Sequence, residues 1–236
     1  MSTPLSLRLE QLAGAGRVRI LAFGSSNTER FLPGIHWLDC VQFGFGAKFG
    51  PVGHFINTGI GGNTSADLLE RFETDAAVFR PHVTFLTVAG NDCNADKNVS
   101  AEDFEANLRE LHRRFEKLGT HVIFQTYYAP DSDGTEYFQN FYRYSDIVRA
   151  VAADTGSSLI DNLARWMPLR EKYPDLYAPL MRDGMHLNER GNKVYGFDIA
   201  HSLGCPVVTE NNEAYWAEPV RLHALMDELA SVQTDR

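Results

Sequence analysis

Five short runs rich in β-branched and aromatic residues, Val18–Phe23, His54–Asn57, Val83–Val88, His121–Tyr127 and Ser158–Ile160, alternate with stretches whose apolar residues recur every three to four positions. Such alternation constrains a chain strongly, because a parallel strand pair needs a long crossover and a helix is the crossover that satisfies its own backbone. The pattern predicts an α/β fold with a single doubly wound, five-stranded parallel sheet. With 44% apolar residues over 236 positions, one substantial core is within reach. A single domain over 1–236 is therefore expected, with 206–236 as a helical extension after Cys205-Pro206.

The intervening stretches carry helix punctuation. Ser100 is placed to cap a helix reaching Leu118, with Phe104, Leu108, Leu111, Phe115 and Leu118 on one face and Gly119 as its stop. Thr64 is placed to cap a second, bearing Leu68, Leu69, Phe72, Ala76 and Phe79 and ending before Pro81. A third runs from Phe138 to Thr155. Asn188 opens a fourth that reaches about Leu203, and a terminal helix with Leu222, Leu225, Met226 and Leu229 follows Pro219.

Composition removes several functions. A net charge of -9 with scattered basic residues argues against a nucleic-acid partner. No run approaches the roughly 20 apolar residues that span a bilayer, and Met1 to Arg19 lacks a secretory apolar core, so no membrane association and a cytoplasmic location are expected. Cys40, Cys93 and Cys205 show no metal-binding or disulfide spacing, and the remaining histidines no ligand spacing, so no metal and no cofactor are expected. No pattern specifies an oligomeric state.

In open parallel sheets, ligands gather at the carboxyl ends of the strands. Three loops share that rim: Gly24-Ser25-Ser26-Asn27-Thr28 after the first strand, Asn57 to Thr64 after the second, and Ala89-Gly90-Asn91-Asp92 after the third. Asp183-Gly184-Met185-His186, just before the helix opened by Asn188, is placed to return to it. Serine becomes a nucleophile only when a base takes its proton, and imidazole serves best when a carboxylate fixes its tautomer. Ser26 supplies the hydroxyl, His186 the base and Asp183 the orienting carboxylate. The N–H of Ser26, the unobstructed N–H of Gly62 and the amide of Asn91 offer three donors for an oxyanion hole. Asp92 reads as a loop brace, and Cys93, with no basic partner, as a bystander. Tyr127, Tyr128 and Pro130–Gly134 are candidate pocket lining, and Trp166 to Tyr177 a candidate substrate wall.

The order Ser, Gly, Asn, Asp/His resembles the SGNH (GDSL-like) hydrolase superfamily from about residue 18 to residue 203. Gly24-Ser25-Ser26, Ile60-Gly61-Gly62-Asn63-Thr64, Ala89-Gly90-Asn91-Asp92 and Asp183 to His186 match its four blocks in turn. The resemblance implies a three-layer α/β/α fold of flavodoxin-like topology. It also implies metal-free hydrolysis of carboxylic esters through an acyl-serine intermediate, with a small-molecule ester as substrate; the chain shows no long apolar cleft or amphipathic lid that would favour lipid, so short acyl or acetyl esters, carbohydrate acetates included, are expected. Ser25 stands where the family usually has Asp, and Ala89 where the third block usually opens with Gly; altered loop hydrogen bonding is expected from both.

Three rival readings remain open at this level. Gly24 to Glu29 is also similar to the phosphate loop of flavodoxins, which would make the chain an FMN-binding electron-transfer protein. Asn91, Asp92, Asp183 and His186 are possible ligands of a metallophosphoesterase, although the paired His and Asp motifs expected before Gly-Asn-Asp are missing. An inactive carbohydrate-binding relative would use the same pocket.

Overall fold

A computed structural model describes residues 4–131 and 136–234. The elements run α1 (Pro4–Gly14), β1 (Val18–Gly24), α2 (Trp37–Phe49), β2 (Gly53–Asn57), α3 (Ser65–Glu70), α4 (Phe72–Asp75), β3 (Val83–Thr87), α5 (Ala101–Lys117), β4 (His121–Gln125), α6 (Glu136–Asp154), β5 (Ser158–Ile160), α7 (Asn162–Lys172), α8 (Pro174–Tyr177), α9 (Glu189–Ser202) and α10 (Glu213–Thr234). All five strands lie where the sequence places them. They form one sheet in the order β2-β1-β3-β4-β5. The β1–β3, β3–β4 and β4–β5 pairs are parallel, with Ile20 beside Val83, Val83 beside His121 and Ile123 beside Ser158. This is the flavodoxin-like order, with its topological switch between β1 and β3. Every residue of β3 is buried, and only Arg19 in β1 and His121 in β4 are less than buried, so both faces of these strands are buried, as a doubly wound sheet requires.

Backbone contacts divide the chain into two compact units. The sheet unit comprises Val18–Arg30 and His54–Leu163. Its α5 is capped as expected, with the Asp103 N–H donating to Ser100 Oγ at 3.0 Å, and it buries Phe104, Leu108, Leu111 and Phe115. Phe115 meets the edges of Phe23 and Phe72 at 6.1 and 4.9 Å between ring centroids. Leu118, expected on that face, is instead the C-terminal cap and 40% exposed.

The helix expected from Thr64 to Phe79 is three pieces: α3, α4 and a 3-10 turn over Ala77–Phe79. Thr64 caps α3 as read. The break falls at Arg71, whose φ of -91° and ψ of 11° leave the helical region. Its side chain is engaged elsewhere, as described below.

The second unit comprises Met1–Arg17, Phe31–Gly53 and Ala164–Arg236. Helices α1 and α2 were not expected from the sequence. Helix α2 is capped by an unusual pair, with the Leu38 N–H donating to His36 Nδ1 and the His36 N–H donating to Asp39 Oδ2, in place of the hydroxyl-and-Glu box. Helix α10 begins before Pro219, not after it, and runs through it. Proline has no N–H for the carbonyl four residues back, and that carbonyl, of Tyr215, accepts from Lys193 Nζ at 2.8 Å. Leu222, Met226 and Leu229 are buried, and α10 packs on α9 within this unit.

Candidate active site

Three of the expected loops meet inside the sheet unit. After β1, the Thr28 and Glu29 N–H groups both donate to the Ser25 carbonyl at 2.9 Å, closing a tight turn that presents half-buried Ser26. Ser25 is buried and shares a 2.7 Å hydrogen bond with the Tyr127 hydroxyl, so the residue that replaces the family's Asp braces the turn from below. The Tyr128 hydroxyl donates to Asn27 Oδ1 at 2.8 Å. Both tyrosines are 3% exposed and hold the turn; they do not line open space. Of Pro130–Gly134, positions 132–134 lie outside the described residues.

The loop after β2 is pressed against this turn. Asn57 Nδ2 donates to the Thr28 carbonyl at 2.7 Å, and a Cβ at Gly59 would stand 2.4 Å from Glu29 N. A Cβ at Gly61 would stand 3.9 Å from Ser26 Cβ. Gly62 follows with φ 78°, a left-handed conformation that favours glycine. Its carbonyl accepts from Lys97 Nζ at 3.0 Å, and no described residue engages its N–H. Asn91, after β3, donates one Nδ2 hydrogen to the Asn63 carbonyl at 2.9 Å. A primary amide carries two such hydrogens, so the second is left for another acceptor. Ser26, Gly62 and Asn91 therefore sit on three interlocked loops at the carboxyl ends of adjacent strands.

Beneath them, Asp92 is 1% exposed and accepts the Ser65 N–H at 2.7 Å, tying the third loop to the start of α3. Its other oxygen has no hydrogen bond among the described residues. Burial pushes the carboxyl up, hydrogen bonding from Ser65 pulls it back, and the balance is about 6. Cys93 is buried, donates its thiol to the Gly90 carbonyl and is pushed up to about 12 by burial, which removes it as a nucleophile near neutrality. Ala89 has φ 152°, a value that L side chains rarely adopt, which gives the family's usual glycine at this place a steric reason.

The Asp/His pair lies in the second unit. An antiparallel bridge between Met181 and Leu187 pinches the segment into a turn. At its foot Asn188 caps α9 by accepting the Gly191 N–H and donates to the carbonyls of Pro179 and Met181. Within the turn, Asp183 Oδ1 accepts the N–H groups of Met185 and His186 at 2.9 and 2.8 Å and meets His186 Nδ1 at 2.9 Å. Arg182 reaches Asp183 Oδ2 at 3.1 Å while its guanidinium lies over the Phe31 ring at 4.6 Å. Burial opposes the charge on Asp183, but the Met185 N–H, the imidazole and Arg182 together outweigh it and hold the carboxyl down to about 2. An ionised carboxylate only accepts, so the ring proton belongs on Nδ1 and the basic lone pair on Nε2. That tautomer is the one a general base needs.

The two ends of the Trp166 to Tyr177 segment are core residues, while Glu171 to Asp175 between them are exposed. Trp166 and Tyr177 are fully buried, packing edge-on at 6.1 Å, and Trp166 Nε1 donates to Asp198 Oδ2 at 3.3 Å. Among the described residues, no group of three or more His, Cys, Asp or Glu side chains is placed to hold a metal ion, and no helix is long and apolar enough to cross a membrane. Arg71, which bonds to the site loops, was not singled out by the sequence.

The GDSL-like Lipase/Acylhydrolase family matches residues 22–194, a span that covers all four blocks. An acetylxylan esterase from Geobacillus stearothermophilus is 26% identical over 159 residues, covering 63% of this chain and 71% of that protein. A crystal structure of an acetylxylan esterase from the same organism superposes with a TM-score of 0.70 at 23% identity, over 82% of this chain and 97% of that one. The acetyl xylan esterase AlAXEase gives 0.69 at 26% identity, over 78% and 99%. These likenesses agree with the three-layer α/β/α arrangement that strand order and burial indicate.

Proposed function

Because the chain belongs to the GDSL-like lipase/acylhydrolase family, and is a carboxylic ester hydrolase of that type, we propose that Ser26, His186 and Asp183 carry its chemistry and that acetyl esters of carbohydrate are its substrates. His186 Nε2 takes the Ser26 proton as Oγ attacks the ester carbonyl. The carbonyl oxygen, now negative, is held by the N–H groups of Ser26 and Gly62 and by Asn91 Nδ2. His186 returns the proton to the departing alcohol and leaves an acyl group on Ser26. Water then attacks that acyl group with His186 again as base, releasing the acid and restoring the hydroxyl.

The observation that carries this reading is the 2.9 Å contact between Asp183 Oδ1 and His186 Nδ1, which fixes the base in its useful tautomer. Two further findings support it. The donors Gly62 and Asn91 interlock with the Ser26 turn, and in the Geobacillus stearothermophilus acetylxylan esterase the alanine variants of a serine, an aspartate and a histidine three positions beyond that aspartate are catalytic mutants. The family assignment replaces the flavodoxin reading, with which it shares only a strand order. For location, three buried thiols without disulfide partners suit a reducing compartment such as the cytoplasm.

Substrate class is tested by a panel of aryl esters graded in acyl length, run beside acetylated xylooligosaccharides. Acetyl esters are expected to be cleaved fastest, with kcat/KM falling as the acyl chain lengthens, and the acetylated sugar is expected to release acetate. Preference for long acyl chains, with no acetate released from the sugar, contradicts the carbohydrate assignment.

A further inference from the structure

Arg71 lies outside every expected site loop, yet its guanidinium holds the loops that carry three of the expected site residues. Nη2 donates to the Gly24 carbonyl at 2.9 Å, two residues before Ser26. Nη1 donates to the Thr58 carbonyl at 2.7 Å, at the exit of β2. Nε donates to Asn63 Oδ1 at 2.7 Å, and it is the main-chain carbonyl of that same Asn63 that accepts from Asn91. One rigid fork thus bonds the loop of Ser26, both sides of Gly62 and, through Asn63, the amide of Asn91.

The surroundings are built for this arrangement. The Arg71 side chain is 12% exposed, lies over the Phe23 ring at 4.6 Å and is neutralised by Asp75 at 3.1 Å. The backbone leaves helical geometry at this residue, between α3 and α4. A planar guanidinium presents donors at fixed angles, which a lysine ammonium cannot reproduce. Oxyanion stabilisation depends on donors placed before the reaction begins, and a misplacement of about 1 Å can cost about 10²-fold in rate.

We propose that Arg71 is a positioning residue for ester hydrolysis, setting the spacing between the Ser26 turn and the Gly62 and Asn91 donors without itself touching the substrate. This role rests on the ester-hydrolase site proposed above. The ion pair with Asp75 is a lesser part of it, because the three loop bonds do not pass through that carboxylate.

The test compares Arg71→Ala, Arg71→Lys and Asp75→Asn with the parent enzyme on an aryl acetate, with active sites titrated by a phosphonate and folding followed by thermal unfolding. For both Arg71 variants, kcat per titrated site should fall by about 10²-fold while KM moves by less than about threefold. Free guanidinium at millimolar concentration should restore part of the lost kcat in Arg71→Ala and none in Arg71→Lys, where the ammonium fills the space. Asp75→Asn should stay within about threefold of the parent. A purely structural residue would lower the melting temperature or the titratable fraction and leave kcat per site intact; that result, or loss of rate without any guanidinium rescue, overturns the proposal. If Arg71→Ala does not fold, the Arg71→Lys rate per titrated site decides alone. A parent enzyme that hydrolyses no ester contradicts the proposed function itself, whereas an active parent with undiminished Arg71 variants contradicts this role only.

Discussion

The proton-handling pair and the oxyanion donors are built in opposite ways. Asp183 and His186 sit on a surface turn, with side chains 45% and 28% exposed, where Arg182, Met185 and each other supply orienting bonds from within four residues. Gly62 and Asn91 have partners farther along the chain: Lys97, 35 positions on, holds the Gly62 carbonyl, and Asn63, 28 positions back and itself bonded by Arg71, accepts from Asn91. The carboxylates show the same contrast. Asp183, hydrogen-bonded and partly in water, is held down to about 2, while Asp92, buried with one oxygen unbonded among the described residues, is pushed up to about 6. The difference teaches that a base and its orienter assemble within one turn of chain, whereas dipoles placed for a developing charge need a rigid, dry framework.

Several variants break or sharpen that contrast. His186→Ala should cost the most, on the order of 10⁴-fold or more in kcat, with the fold retained and only a small fall in melting temperature, since the imidazole helps to hold Asp183 ionised on a partly exposed turn. An unfolded variant, or a loss below about tenfold, would show the pair to be something other than the catalytic base. Asn91→Ala comes next, at about 10²–10³ in kcat, or about 3 kcal/mol of transition-state stabilisation, with little change in KM. A change confined to KM would move Asn91 from the oxyanion hole to substrate binding.

Asp92 gives the third test, in stability. Its folded carboxyl is raised above the unfolded value, so the native state holds a proton that the unfolded chain has already released across the interval from 3.8 to about 6. Stability therefore falls as pH rises through that window, by at most about 3 kcal/mol. Asp183 has the opposite sign, stabilising the fold above the ordinary carboxylate range and losing that contribution only as pH falls towards about 2. Denaturant unfolding at several pH values should show the parent losing ground to Asp92→Asn between about pH 4 and pH 7. A gap that does not change with pH would contradict the burial argument. The smallest effect is expected of Ala89→Gly, which relieves the φ of 152° and should raise stability by about 1 kcal/mol, read as a rise of a few degrees in melting temperature. A fall would mean that the loop gains more from the methyl group than it loses to strain.

What the sequence made legible follows the same division. Asp183 and His186 were readable because their contacts span three residues. The strands were readable because each is a compact apolar run, and the caps Thr64, Ser100 and Asn188 because a polar side chain opens each helix. Arg71 was not, since its partners lie 8, 13 and 47 positions away and only the fold brings them together. Helix α2 was missed because His36 caps it and its Trp37–Phe49 sequence, with Gly44 and Gly46 inside, shows no polar face of clear period. That Trp166 and Tyr177 are core residues was not readable, because burial is not written in a residue's type.

The most direct measurement is intact and peptide mass analysis after brief reaction with an activated acetyl ester and, separately, with a phosphonate that mimics the tetrahedral intermediate. The account predicts one acetyl or phosphonyl group per chain, on the peptide containing Ser26, absent in Ser26→Ala and formed far more slowly in His186→Ala. An adduct on another residue, or steady ester hydrolysis by Ser26→Ala, would contradict it.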